Sequence, residues 1–114
     1  MKPSVTVYSF GLRTMVRPPE AVDLNINCLG IVNPHYVPEE RIEALLEETP
    51  EVRTVLGKAI TSTLTALQTR DRIAVGVFCA YGRHRSPFVA TRLSTALAAL
   101  GVDVQLQHCN KGAA

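Results

Sequence analysis

The chain has no tryptophan, and aromatic residues of any kind make up only 5% of its 114 residues. It has no run approaching the roughly 18 apolar residues of a membrane-spanning helix. Its start, MKPSVTVYSFG, lacks the long apolar stretch and small-residue cleavage site of a secretory signal. These absences argue against membrane insertion and secretion. Cysteine is scarce too. Cys28, Cys79 and Cys109 are an odd number at wide spacings, matching neither a disulfide framework nor a C-x-x-C zinc pattern. A reducing, cytoplasmic setting with no metal or other cofactor is the expectation. Net charge is only +2, too weak for a domain that grips nucleic acid by bulk electrostatics alone. Any anion must therefore be held locally.

What is present fits one compact domain spanning residues 1–114, with 46% hydrophobic residues and no repeat or low-complexity segment. SVTVYSFG alternates and is rich in β-formers, so it predicts a first strand ending at Gly11. GLRTMVRPPE then breaks regular structure at Pro18 and Pro19 and carries Arg13 and Arg17 on a loop. AVDLNINCLGIV predicts a second strand, and NPHYVPEER a turn, with Pro38 where a helix can begin. From Glu39 to Arg70 the pattern is helical with a break at Thr49 and Pro50. In the second half, Val52, Val55, Leu56, Ala59, Ile60, Thr63, Leu64 and Leu67 recur at helical spacing. The unbroken apolar run RIAVGVF predicts a strand covered on both sides by helices. A further helix follows, for which Ser86 is the candidate cap, Pro87 the first-turn residue and Gly101 the terminator. VDVQLQH closes the series as a strand. This order predicts an α/β fold: a small, mostly parallel sheet with helices packed on it.

The chemistry concentrates in FCAYGRHRSPF. A loop that leaves the carboxyl end of a buried parallel strand and enters a helix is where an open α/β sheet holds its ligand. The helix start offers amides without intrahelical partners and the positive end of the dipole, so the fitting ligand is an anion. Arg83, His84 and Arg85 add cationic groups, and an arginine fork suits a phosphate. Gly82 permits close approach or positive φ. In the bland alternative, these arginines are solvated charges at a helix start. Asn33 and His35 follow the second strand, whose carboxyl end faces the same crevice in a parallel sheet. His108 lies near the end of the last strand. If the three histidines collect at one rim, phosphate affinity falls as pH rises through their titration.

Cys79, Gly82, Arg85 and Ser86 also spell C-x-x-G-x-x-R-S, which contains the C-x5-R of cysteine-dependent phosphatases. In an enzyme of that kind Cys79 is the nucleophile, Arg85 the transition-state clamp and Ser86 eases thiolate departure. Two features count against it. Phe78 stands where tyrosine phosphatases carry histidine, and Asp23, Asp71 and Asp103 are explained as strand-end or turn residues rather than as a general acid. Cys79 is equally well explained as a small buried residue at a strand end.

Taken in order, SFG at Ser9 to Gly11, NPH at Asn33 to His35, C-x-x-G-x-H-R-S at Cys79 to Ser86 and VQ-x-x-H at Val104 to His108 make the chain resemble the C-terminal domain of RapZ, the bacterial RNase adapter protein. The resemblance covers nearly the whole chain. It implies an oligomeric α/β domain that senses an amino-sugar phosphate, glucosamine 6-phosphate, and binds small regulatory RNA. Carried over, the ligand loop is Ala80, Tyr81, Gly82, Arg83, His84, Arg85 and Ser86, with Asn33 and His35 opposite and Asp23 as an acidic partner for a sugar amine or hydroxyl. No G-x-x-x-x-G-K-[ST] occurs, so the family's P-loop domain is missing and the chain is expected to be a stand-alone version or a fragment. Ala80 and Tyr81 replace the family's Thr-Gly, Asn25 replaces an arginine, and Gln107 and Cys109 replace the arginines around the terminal histidine. The first change removes a hydroxyl donor and adds an aromatic face at the ligand, and the loss of the arginines lowers the phosphate-neutralising contribution to RNA binding.

Overall fold

The computed structural model describes residues 2–110. The final KGAA, whose sequence reads as a short tail, lies outside them. β1 (Ser4–Gly11) runs up the middle of a sheet, flanked by β3 (Arg72–Cys79) and β4 (Asp103–His108), while β2 (Leu24–Asn27) lies outside β3. All three pairings are parallel, giving the order β2-β3-β1-β4. The helices are α1 (Glu39–Glu48), α2 (Pro50–Leu67) and α3 (Arg85–Ala99), with a single 3-10 turn at Pro34–Tyr36.

The break between α1 and α2 falls where the sequence puts it. Pro50 has no N–H to donate, and Thr49 turns its hydroxyl back to the Leu45 carbonyl at 2.7 Å, closing one helix as the next begins. The end of α3 is equally local. Gly101 has φ +89, its N–H donates to the Ala98 carbonyl and that of Val102 to Leu97, the double closure of a Schellman motif.

Val5 and Val7 of β1, Ile73, Val75, Val77 and Cys79 of β3, and Val52, Ala59, Val89, Leu93 and Leu97 from α2 and α3 form one buried cluster, together with Ile42 and Leu46 of α1. The strand members alternate in sequence, so they share one face of the sheet, and all three helices share that face with them. This corrects the expectation that RIAVGVF is covered by helices on both sides. The opposite face is covered by the loop after β1 instead. There Tyr8, Phe10 and Ala74 are buried, Arg17 lies 5.6 Å over the Phe10 ring, and Tyr8 donates its hydroxyl to Glu20. Val22 reaches Gly76, where an added Cβ would meet its methyls at 3.3 Å. An apolar run marks a strand buried on both faces, but it does not say what buries it.

Candidate functional site

Because every strand runs the same way, all four carboxyl ends meet at one end of the sheet. A cavity of about 520 Å³ opens there, lined by Thr14 beyond β1, Asn33 and His35 beyond β2, Cys79 at the end of β3, Tyr81, Arg83 and His84 from the loop that follows, Arg85 at the start of α3, and Asn110 beyond β4. The crevice at strand carboxyl ends is the general ligand position of open α/β sheets.

The loop is locked to its neighbours by backbone proximity. The Leu12 N–H donates to the Cys79 carbonyl at 2.9 Å and the Arg13 N–H to Ala80 at 2.8 Å. Gly82 adopts φ +71 and donates its N–H to Cys79 Sγ at 3.2 Å. Asn110 ties the far strand in: its Oδ1 accepts the Gly11 N–H at 2.9 Å, and its Nδ2 donates to Thr14 Oγ1 at 3.1 Å. Thr14 in turn donates to the Gly11 carbonyl. Arg17 satisfies the carbonyls of Gly11, Leu12, Thr14 and Val16. Arg17 thus organises the loop from outside the cavity.

Two expected roles change. Ser86 does not cap α3. The helix begins at Arg85 with His84 in the capping position and no side-chain cap, while the buried Ser86 hydroxyl donates to the Phe10 carbonyl at 3.3 Å and stands 3.2 Å from Cys79 Sγ. The first amides of α3 therefore have no side-chain acceptor. Arg85 is only 7% exposed, and its Nη1 donates to the Ile31 carbonyl at 2.9 Å and toward Leu29 at 3.4 Å. Its charge faces the cavity while one end of its fork braces the segment after β2.

The wall opposite the loop is made locally. Asn33 Oδ1 accepts the His35 N–H at 3.3 Å, and Pro34 is buried beneath, which turns His35 toward the cavity. Tyr81 is half exposed, and Arg13 approaches its ring at 6.0 Å. Cys28, on the buried side, is a core thiol: burial, with Cys79 nearby, pushes it up to about 12.

Of the expected ligand residues, Asn33, His35, Tyr81, Arg83, His84 and Arg85 line the cavity, whereas Ala80, Gly82 and Ser86 do not. Asp23 is not part of it. It precedes β2 at the amino ends of the strands, where it accepts the Ala74 N–H at 2.8 Å and pairs with Arg70. The Ala74 amide first, and Arg70 second, hold its carboxyl below the usual carboxylate range. His108 does not line the cavity with the other two histidines; its Nδ1 is 2.6 Å from Ser9 Oγ and its Nε2 3.5 Å from Thr91 Oγ1. Thr14 and Asn110 were not expected. The signal for both was available, since loops beyond all strand ends of a parallel sheet converge, including those after the first and last strands.

A family model described as the RapZ C-terminal domain matches residues 3–111. The chain belongs to the RapZ C-terminal domain family. Relatives of this RapZ-type domain include a nucleotide-binding protein of Thermotoga sp. (strain RQ2), 30% identical across 92% of this chain and 41% of the relative. A nucleotide-binding protein of Aeromonas hydrophila is 29% identical across 88% of this chain and 38% of its own length. One from Streptomyces griseus is 29% identical across 94% and 36%. The chain thus spans about two fifths of the curated relatives it matches. No helix among the described residues is long and apolar enough to cross a membrane, and no cluster of His, Cys, Asp and Glu among them could hold a metal ion.

Proposed function

We infer that this RapZ C-terminal domain is a regulatory sensor that binds a phosphorylated small molecule, a phosphosugar, in the cleft at the carboxyl end of its sheet. The observation that carries this reading is the convergence of Arg83, His84, Arg85 and His35 on one cavity, beside a helix start that has no side-chain cap. Uncapped amides and guanidinium groups together suit the three oxygens of a phosphate monoester. Thr14, Asn33 and Asn110 provide neutral polar groups for hydroxyls, and Tyr81 an aromatic face for a ring. The output of sensing is the one the family resemblance implies, contact with structured RNA and self-association. Arg13 and Arg83 are exposed beside the cleft mouth to meet RNA phosphates. Calorimetric titration of the unmodified chain with phosphosugars tests the reading, and absence of binding by every phosphate tried would end it. Gel shifts with structured RNA at rising salt test the output. Affinity that falls steeply with salt supports it, and a flat response argues against it.

A second reading, hydrolysis of phosphate esters, draws on one observation. Cys79 Sγ sits at the cleft with the Gly82 N–H donated to it. No carboxylate among the described residues lines the cleft to protonate a leaving group, which favours binding over turnover. Release of a chromophore from an aryl phosphate, lost in Cys79→Ser, would promote the enzyme.

A further inference from the structure

Among the described residues, the cavity inferred above to suit a phosphate has no carboxylate to receive a positive charge. Among the described residues its lining holds arginine and histidine side chains and the neutral Thr14, Asn33, Cys79, Tyr81 and Asn110, but neither aspartate nor glutamate. The neutral acceptors are partly used already: Asn33 Oδ1 by the His35 N–H, Asn110 Oδ1 by Gly11, and the Ile31 carbonyl by Arg85. Glu39 and Glu43 line a different groove of about 430 Å³ between α1 and α3, which meets the cleft at Arg83 and His84. Asp23 is at the other end of the sheet, engaged by Arg70 and Ala74.

An ammonium group brought into this cleft would stand beside guanidinium charges, in a partly enclosed space where like charges repel more strongly than in water. It would also bring three donors to a site short of free acceptors. A hydroxyl at the same place adds no charge and can accept as well as donate. Asn33 and Asn110 offer amide donors to such a group.

We propose that the cleft selects phosphate esters bearing hydroxyls and discriminates against those bearing an ammonium group, so that a neutral sugar phosphate, and not an amino-sugar phosphate, is its ligand class. The proposal rests on the cleft being a phosphate site, as inferred above. Asn33 is then a specificity-determining position, because a carboxylate there keeps the acceptor for the His35 N–H while adding the missing negative charge.

The test is calorimetry on the unmodified chain with inorganic phosphate, glucose 6-phosphate and glucosamine 6-phosphate, at a pH that keeps the amine protonated. The expected result is glucose 6-phosphate binding at least about ten-fold more tightly than glucosamine 6-phosphate, a gap that narrows or reverses in Asn33→Asp. Equal or tighter binding of the amino sugar overturns the selectivity and leaves the phosphate site standing. Binding of inorganic phosphate without either ester also overturns it. If none of the three binds, the phosphate site and the selectivity fall together.

Discussion

The backbones of Gly11 and Tyr81 lie against each other, so closely that a Cβ on Gly11 would stand 2.3 Å from the Tyr81 carbonyl carbon. The end of β1 is thereby pressed onto the loop between β3 and α3. No side chain larger than hydrogen fits between them, and the obstacle is backbone, which cannot rotate away. Gly11→Ala is expected to destabilise the fold by about 3 kcal/mol and to weaken phosphate binding, read by urea denaturation and calorimetry. Gly82→Ala should behave alike, since its φ is +71 and an added Cβ would meet Asn110 Oδ1 at 2.6 Å. Full stability with full binding in both variants would show that the loop is not held by this contact.

Arg83 and Arg85 should separate binding from folding. Arg83 is exposed, so Arg83→Ala should keep stability within about 0.5 kcal/mol while lowering phosphate affinity roughly ten-fold. Arg85 is buried on the Ile31 carbonyl. Arg85→Ala should lose binding and also about 2 to 3 kcal/mol of stability, because a charge-assisted bond is removed and a carbonyl is left unpaired. Equal melting temperatures for the two variants would contradict the bracing role.

Cys79→Ser tests what the cysteine is for. The side chain is 2% exposed, but the Gly82 N–H and the Ser86 hydroxyl both stand 3.2 Å from its sulfur, so a hydroxyl keeps polar partners there and should cost no more than about 1 kcal/mol. Phosphate affinity measured by calorimetry should not change beyond error, because the guanidinium groups and helix amides remain. Loss of binding with retained fold would give the sulfur a direct part in holding the ligand.

Asp23 should report on acid stability and not on ligand. Its carboxyl titrates lower in the folded chain than in the unfolded one, held by the Ala74 amide and by Arg70. A depressed carboxyl stabilises the fold above its ordinary titration range, and that contribution is lost as pH falls through the folded value. Asp23→Asn should therefore lower stability by about 1 kcal/mol at neutral pH, and the gap should shrink in paired urea melts as pH falls below the ordinary carboxylate range. Phosphate binding should be unaffected, since the residue lies at the opposite end of the strands.

The elements themselves were legible locally. Alternation in SVTVYSFG, Pro50 after Thr49, Gly101 after an apolar helix and the apolar run before Cys79 each act within a few residues of chain, and the structure puts elements where they point. Ser86 escaped this reading because its hydroxyl had two possible partners, and the nearer in sequence lost to the Phe10 carbonyl, 76 residues away in the chain. Asp23 escaped it for a related reason. Sequence places it next to the second strand, but only the parallel register decides which end of the sheet that is.

The sequence alone determined the α/β fold, its family and the loop from Cys79 to Ser86, because propensity, periodicity and ordered motifs are properties of neighbours along the chain. The tertiary structure decided the rest. It put all three helices on one face, called on Arg17 and Val22 to cover the other, and added Thr14 and Asn110 to the cleft. It also left the carboxylates of the described residues out of that cleft. Such outcomes depend on which strands pair, and pairing joins residues far apart in sequence whose charge and hydrogen bonding acquire meaning only once they meet.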